Sequence, residues 1–141
     1  MENAMNQAII FDTSIWIELI QRKNTEKALL LREYISTNKQ LWLTPTILQE
    51  VLQGSRNRQE FERLKNSLLG YRCLLLNSIE SAINAAQLYS SLRQKGVTIR
   101  KLNSCIIASY AIHFDVEICH NDSDFDMIAQ NSSLKITPKI S

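Results

Sequence analysis

The sequence predicts an α/β fold, a three-layer α/β/α sandwich on a mainly parallel sheet of four or five strands, and three observations carry that reading. Short apolar runs suited to strands recur at residues 8–11, 41–43, 73–76, 116–119 and, more weakly, 134–137. Helical periodicity fills every gap between them, and strands alternating with helices imply parallel βαβ units. The three glycines, Gly54, Gly70 and Gly96, fall where helices should stop.

Ala8-Ile9-Ile10-Phe11 is a continuous apolar run of the kind that forms a buried strand. Asp12 closes it, and the amphipathic segment 13–20 then begins a helix. A second helix is expected over 25–36, followed by the strand 41–43. Thr44-Pro45 ahead of Ile47 supplies an N-cap and a proline at the first helical position, opening a helix over 46–53 that ends at Gly54. Residues 58–69 form the next helix, ending at Gly70; strand 73–76 and helix 80–95 follow, the latter ending at Gly96. Ser104, Ala108 and Ala111 recur at i, i+4 and i+7, a small-residue face that lets a helix approach the sheet closely. After strand 116–119, a closing helix over 125–130 takes Asp124 as its expected N-cap and Asp126 as a first-turn acid facing the helix dipole. No repeat, low-complexity tract or linker interrupts the pattern, so residues 1–141 are read as a single domain.

Composition narrows the function. The 16 basic and 14 acidic residues nearly cancel, and a net charge of +2 gives no footprint of a sequence-reading DNA binder. Cys73, Cys105 and Cys119 lie in apolar runs without a C-x-x-C pair, so they read as buried thiols in a reducing cytoplasm, not as a zinc site. No stretch approaches the roughly 18 apolar residues of a membrane span, and no secretory leader is expected. Three isolated glycines cannot build a phosphate-cradling loop. Neither His113 nor His120 belongs to a nucleophile motif, and neither is assigned a role.

The acids carry the chemistry. Asp12 stands at a strand-to-helix turn, where open α/β sheets place ligands, and the same position suits an N-cap. Glu50 lies at the polar edge of the stripe made by Ile47, Leu48, Val51 and Leu52, and either overhangs the sheet edge or is solvated. Asp122, Asp124 and Asp126 follow a strand expected beside the first. An EF-hand loop is excluded, because its sixth and twelfth positions would be Met127 and Ser133. Clustered carboxylates raise each other's pKa unless a cation joins them. Hard oxygen ligands select Mg²⁺ or Mn²⁺, which suits phosphodiester hydrolysis. Phosphoryl transfer through an Asp12 nucleophile is weaker, since Ser14 stands where a second aspartate would be needed.

Four segments in this order and spacing, Phe11-Asp12-Thr13-Ser14-Ile15-Trp16-Ile17, Thr44 to Gly54, Gly96 to Lys101, and His120-Asn121-Asp122-Ser123-Asp124-Phe125-Asp126, resemble the PIN domain. The closest resemblance is to the VapC-type toxins of bacterial toxin–antitoxin pairs, and it covers nearly the whole chain, from Ile9 to Ile136. It implies an endoribonuclease whose acidic quartet binds Mg²⁺ or Mn²⁺, with three members mapped onto Asp12, Glu50 and Asp122 and with Asp124 as a supporting acid. The fourth position departs from the pattern: Ser104 stands where the family usually carries aspartate. A neutral hydroxyl removes one of the charges that hold the metal. Asn103 beside it is expected to lend an amide oxygen, which does not restore that charge. A second reading is therefore kept, an impaired PIN-like protein that binds RNA or an antitoxin without turnover. Arg56, Arg100 and Lys101 are expected to flank the acids and hold RNA phosphates. Trp16, Ile17 and Ile20, with Leu29, Leu30 and Leu31, suit a homodimer contact or a groove for an antitoxin helix, and core burial explains them equally well.

Overall fold

The computed structural model describes residues 7–138. Its elements run β1 (Ile9–Phe11), α1 (Thr13–Ile20), α2 (Glu26–Ser36), β2 (Leu41–Leu43), α3 (Pro45–Gln53), α4 (Arg58–Leu68), β3 (Arg72–Cys73), α5 (Ser78–Gln94), α6 (Leu102–Phe114), β4 (Glu117–Cys119) and α7 (Ser123–Gln130). The four strands pair in parallel in the order β3-β2-β1-β4. All three residues of β1 are buried, and alternate residues of a strand face opposite ways, so both sheet faces are covered. The expected three-layer α/β/α architecture is the one found.

The strand order creates the most consequential feature. From β1 the chain steps outward through β2 to β3, then crosses back to lay β4 on the other side of β1. Ile9, Ile10 and Phe11 pair with Glu117, Ile118 and Cys119, so the turns that leave β1 and β4 emerge side by side. Such a reversal opens a crevice at the carboxyl ends of the strands, where neighbouring crossovers diverge.

Local chemistry sets most element ends. Thr44 Oγ1 accepts from the Ile47 amide at 3.2 Å with Pro45 in the first turn, as the sequence predicts. Asn77 begins α5 two residues ahead of the expected start, its Oδ1 accepting from Ile79 and Glu80. Gly96 alone of the glycines takes a positive φ, +83°, a conformation that favours a residue without a Cβ. The third strand is shorter than 73–76: the Leu74 amide still donates to Leu43 at 2.8 Å, but Leu75 is 75% exposed. The weak fifth strand reduces to a parallel bridge of Ile118 with Ile136.

The core joins Ile10, Phe11, Ile15, Leu31, Leu43, Ile47, Ile107, Ile118, Phe125 and Ile128, all essentially inaccessible. Helix α6 is buried on most of its circumference, and Ser104, Ala108 and Ala111 on it have exposures of 4%, 0% and 1%. Cys105 and Cys119 are buried free thiols and Cys73 is half-buried. Trp16 and Leu31 went to the core, whereas Ile17, Ile20 and Leu29 remain on the surface. No helix among the described residues is long and apolar enough to cross a membrane. Because Ile10 is fully buried in the central strand, Ile10→Ala should destabilise the protein by about 2–5 kcal/mol in chemical denaturation, and a loss below about 1 kcal/mol would contradict this packing.

Candidate active site

Asp12, Glu50 and Asp122, which the sequence singled out, line one open cavity of about 720 Å³ together with Ser104, Lys101 and Asn103. Four different stretches of chain converge there because the β1 and β4 turns are adjacent and α3 and α6 pack over the same edge.

Asp12 caps α1. Its Oδ2 accepts from the Ser14 hydroxyl at 2.9 Å and from the Ser14 amide at 3.4 Å, while its own N–H donates to the Cys119 carbonyl at 2.9 Å. That last bond ties the turn after β1 to the end of β4. Burial raises the Asp12 pKa above the ordinary 3.8; the Ser14 hydrogen bonds oppose the rise and the Glu50 charge adds to it. Capping and a place on the cavity wall therefore coexist in this residue.

Glu50 is half-buried on α3, its Oε1 accepting from Thr13 Oγ1 at 2.7 Å and its Oε2 from Asn103 Nδ2 at 3.2 Å. Asn103 thus presents its NH₂ to the carboxylate, since an ionised carboxylate can only accept, which leaves its amide oxygen free of this bond. Ser104 is buried inside α6 and does not cap it; Lys101 precedes the helix with no side-chain capping bond.

The β4 turn corrects a further expectation. Asp122, not Asp124, is the N-cap of α7, with Oδ1 accepting from the Asp124 amide at 3.0 Å. Its Oδ2 receives the Lys101 ammonium at 3.0 Å. Burial works to raise the Asp122 pKa, but the Asp124 amide and the Lys101 charge outweigh it and hold the carboxyl below its usual range. Asp124 instead sits in the first turn, 2% exposed and outside the cavity lining, its Oδ2 without a hydrogen-bond partner among the described residues.

Of the three basic residues expected around the acids, only Lys101 lines the cavity. Arg100 is exposed beside it. Arg56 is engaged elsewhere, its guanidinium donating to Glu60 at 2.8 and 3.2 Å. His120 stands in the segment 120–126 but no motif in the sequence assigns it a role. This buried imidazole accepts the Asp122 amide on Nδ1 at 3.0 Å, and its Nε2 lies 3.2 Å from Asp126. Burial holds its pKa below the usual histidine range, helped by Lys27 and opposed by Asp126.

Three carboxylates against one ammonium leave the lining at net −2, a setting that attracts a cation. The donors are hard oxygens and suit Mg²⁺ or Mn²⁺ in kind. They are not yet gathered: no group of three or more acidic, histidine or cysteine side chains forms a ready metal cluster among the described residues. The reasons are visible in the contacts. Both Glu50 oxygens are held by Thr13 and Asn103, Asp122 Oδ2 leans on Lys101, and Ser104 brings no charge. Asp12, by contrast, is a desolvated carboxylate with no ion-pair partner within reach among the described residues, which is the group a bound cation would relieve.

The family model of the PIN domain matches residues 9–131. Ribonuclease VapC11 of Mycobacterium tuberculosis and a VapC ribonuclease of Mycobacterium bovis are each 30% identical over 128 residues, spanning 90% of this chain and 96% of theirs. Among solved structures, the fold is similar to VapBC2 of Rickettsia felis bound to a promoter DNA fragment, with TM-score 0.72 and 18% identity, covering 93% of this chain and 98% of that one. VapBC-1 of nontypeable Haemophilus influenzae matches with TM-score 0.70 and 19% identity over 93% of this chain and 97% of that one. From the strand order, the acids at its switch point and these likenesses together, the chain belongs to the PIN-domain family.

Proposed function

We propose that the chain is a divalent-metal-dependent endoribonuclease toxin that hydrolyses RNA phosphodiester bonds and is neutralised by a cognate antitoxin. The observation that carries this reading is the meeting of Asp12, Glu50 and Asp122 on one cavity, supported by the relatives named as VapC ribonucleases. Asp12, Glu50 and Asp122 would hold Mg²⁺ or Mn²⁺, which would supply Lewis acidity toward a phosphodiester oxygen and orient an attacking water. Asp12 is a fixed anchor, locked by Ser14 and by the Cys119 carbonyl. Glu50 is aimed by Thr13 and Asn103 from opposite sides. Lys101, exposed along most of its length, neutralises Asp122 in the free protein and is placed to contact an RNA phosphate, with Arg100 next to it. Arg56 has no part in this site. A cytoplasmic location and a homodimer belong to the same proposal. An apolar antitoxin segment is assigned to the surface carrying Ile17 and Ile20 on α1 and Leu29 on α2, exposed by 41%, 36% and 46%.

Ser104 supports the second reading, a PIN-like protein that binds RNA or its antitoxin with little or no turnover. The hydroxyl lines the cavity but adds no negative charge, so only three acids would be left to hold a metal. Two variants decide between the readings. Under the leading one the wild-type protein cleaves RNA on addition of Mg²⁺ or Mn²⁺ and Asp12→Ala falls to background; equal cleavage by both proteins rejects the site. Under the second the wild-type protein is silent and Ser104→Asp gains cleavage.

Asp12 also makes a thermodynamic prediction. Its raised pKa means the folded state binds a proton more tightly than the unfolded chain, so its contribution to stability is greatest below pH 3.8 and falls as pH rises through the folded-state pKa. Asp12→Asn, which keeps the shape and removes the charge, should therefore raise the melting temperature of metal-free protein at pH 7. The gain should vanish in strong acid, where both proteins are neutral at this position. A lower melting temperature at pH 7 would show that the capping bonds outweigh the desolvation.

A further inference from the structure

The turn after β4 holds a polar arrangement that the proposed reaction leaves unused. His120 is 5% exposed, and its ring packs 5.2 Å from the Phe125 ring, a place where an apolar side chain would serve for packing alone. A buried imidazole is tolerated when both nitrogens find partners. Here both do: Nδ1 accepts the Asp122 N–H at 3.0 Å, and Nε2 faces Asp126 Oδ1 at 3.2 Å. An Nδ1 that accepts carries no proton, so the proton of the neutral ring sits on Nε2 and is donated to Asp126. The backbone of the same residue is held as well, since the Lys27 ammonium donates to the His120 carbonyl.

We propose that His120 is a positioning residue for Asp122: the ring, clamped between the Asp122 amide and the Asp126 carboxylate, sets the turn so that the Asp122 side chain faces the cavity. The inference rests on the reading of Asp122 as a metal ligand. Asp122 has two backbone tethers, its amide on His120 and its Oδ1 accepting the Asp124 amide, which leave Oδ2 as the oxygen presented to the cavity, where Lys101 meets it in the free protein. Release of the first tether frees the residue on which the second pivots. The cation then meets a carboxylate that must be ordered at the moment of binding, and affinity falls. Asp126 acts at one remove by fixing the tautomer and tilt of the ring through its contact with Nε2.

The test compares the full chain with His120→Phe, His120→Asn, Asp126→Ala and Asp122→Ala. Mn²⁺ affinity is measured by calorimetry without RNA, folding by thermal melts, and ring protonation by imidazole ¹⁵N NMR. The asparagine keeps an acceptor near the Nδ1 position, whereas phenylalanine keeps the ring volume and has none. His120→Phe should bind Mn²⁺ about tenfold more weakly, at the lower end of what the loss of such a supporting partner costs, while His120→Asn stays within about threefold of wild type. The NMR spectrum of metal-free wild-type protein should show the proton on Nε2. If His120→Phe does not fold, Asp126→Ala carries the test, because Asp126 is 59% exposed and its removal spares the core; weaker Mn²⁺ binding with an unchanged melt supports the proposal. Wild-type affinity in the folded phenylalanine variant, or in Asp126→Ala where phenylalanine fails to fold, or a proton on Nδ1, overturns it while loss of binding in Asp122→Ala leaves the metal reading standing. Full Mn²⁺ binding by Asp122→Ala overturns the metal reading, and with it the role given to His120.

Discussion

The pairing of β1 with β4 is the constraint from which the rest of the molecule follows. Three residue pairs, Ile9–Glu117, Ile10–Ile118 and Phe11–Cys119, set the register, and the hydrogen bond from the Asp12 amide to Cys119 extends it into the turn. A one-residue slip would turn every side chain of β1 to the other sheet face, sending Phe11 and Ile10 into each other's environments. Because Phe11 and Ile10 are both fully buried in well-filled surroundings, the register is held by packing on two sides at once. The position of Asp12 relative to Asp122, separated by 110 residues of sequence, is a by-product of that packing.

On this frame the protein carries an electrostatic load. Asp12 is desolvated and satisfied by Ser14 and the Thr13 amide alone, with no cation, Glu50 is held by a hydroxyl and an amide, and Asp122 by a lysine and a helix amide. Only Asp122 has a full opposing charge. The arrangement gives up stability for an unfilled demand for positive charge, the usual signature of a binding site. Ser104 lightens the load by one carboxylate while remaining buried on the cavity wall. The proposed metal site is for that reason less charged than the family pattern implies, and Lys101 already answers part of what remains.

The polar groups around these acids work by fixing direction more than by adding charge. Thr13, Asn103, Ser14 and the Asp124 amide each occupy one carboxylate oxygen, so each acid presents a limited set of lone pairs to the cavity. His120 extends the same logic one residue back along the chain. Helix capping and cavity building are here the same contacts, which explains why the N-caps of α1 and α7 both lie on the cavity wall.

The sequence by itself determined the kind and order of the elements and the identity of the acids on the cavity. Apolar runs, caps such as Thr44-Pro45 and the stops at the glycines are local signals, each set by neighbours within a few residues, and the element ends moved by only a few positions. Tertiary structure alone decided how the acids are partnered. Asp122 and Asp124 are equally good caps in sequence, and the choice went to Asp122 because the residue two places on is carried into the buried first turn of α7. Arg56 and Lys101 are alike as flanking cations, yet one lies on Glu60 and the other on Asp122. His120 belongs to the segment 120–126, but its role was not legible there, since its partners are a backbone amide and a side chain that come within reach only when the turn is folded. Periodicity encodes which face of an element is buried; which side chain meets which across the molecule depends on the register of β1 against β4, and that is settled only when the whole core packs.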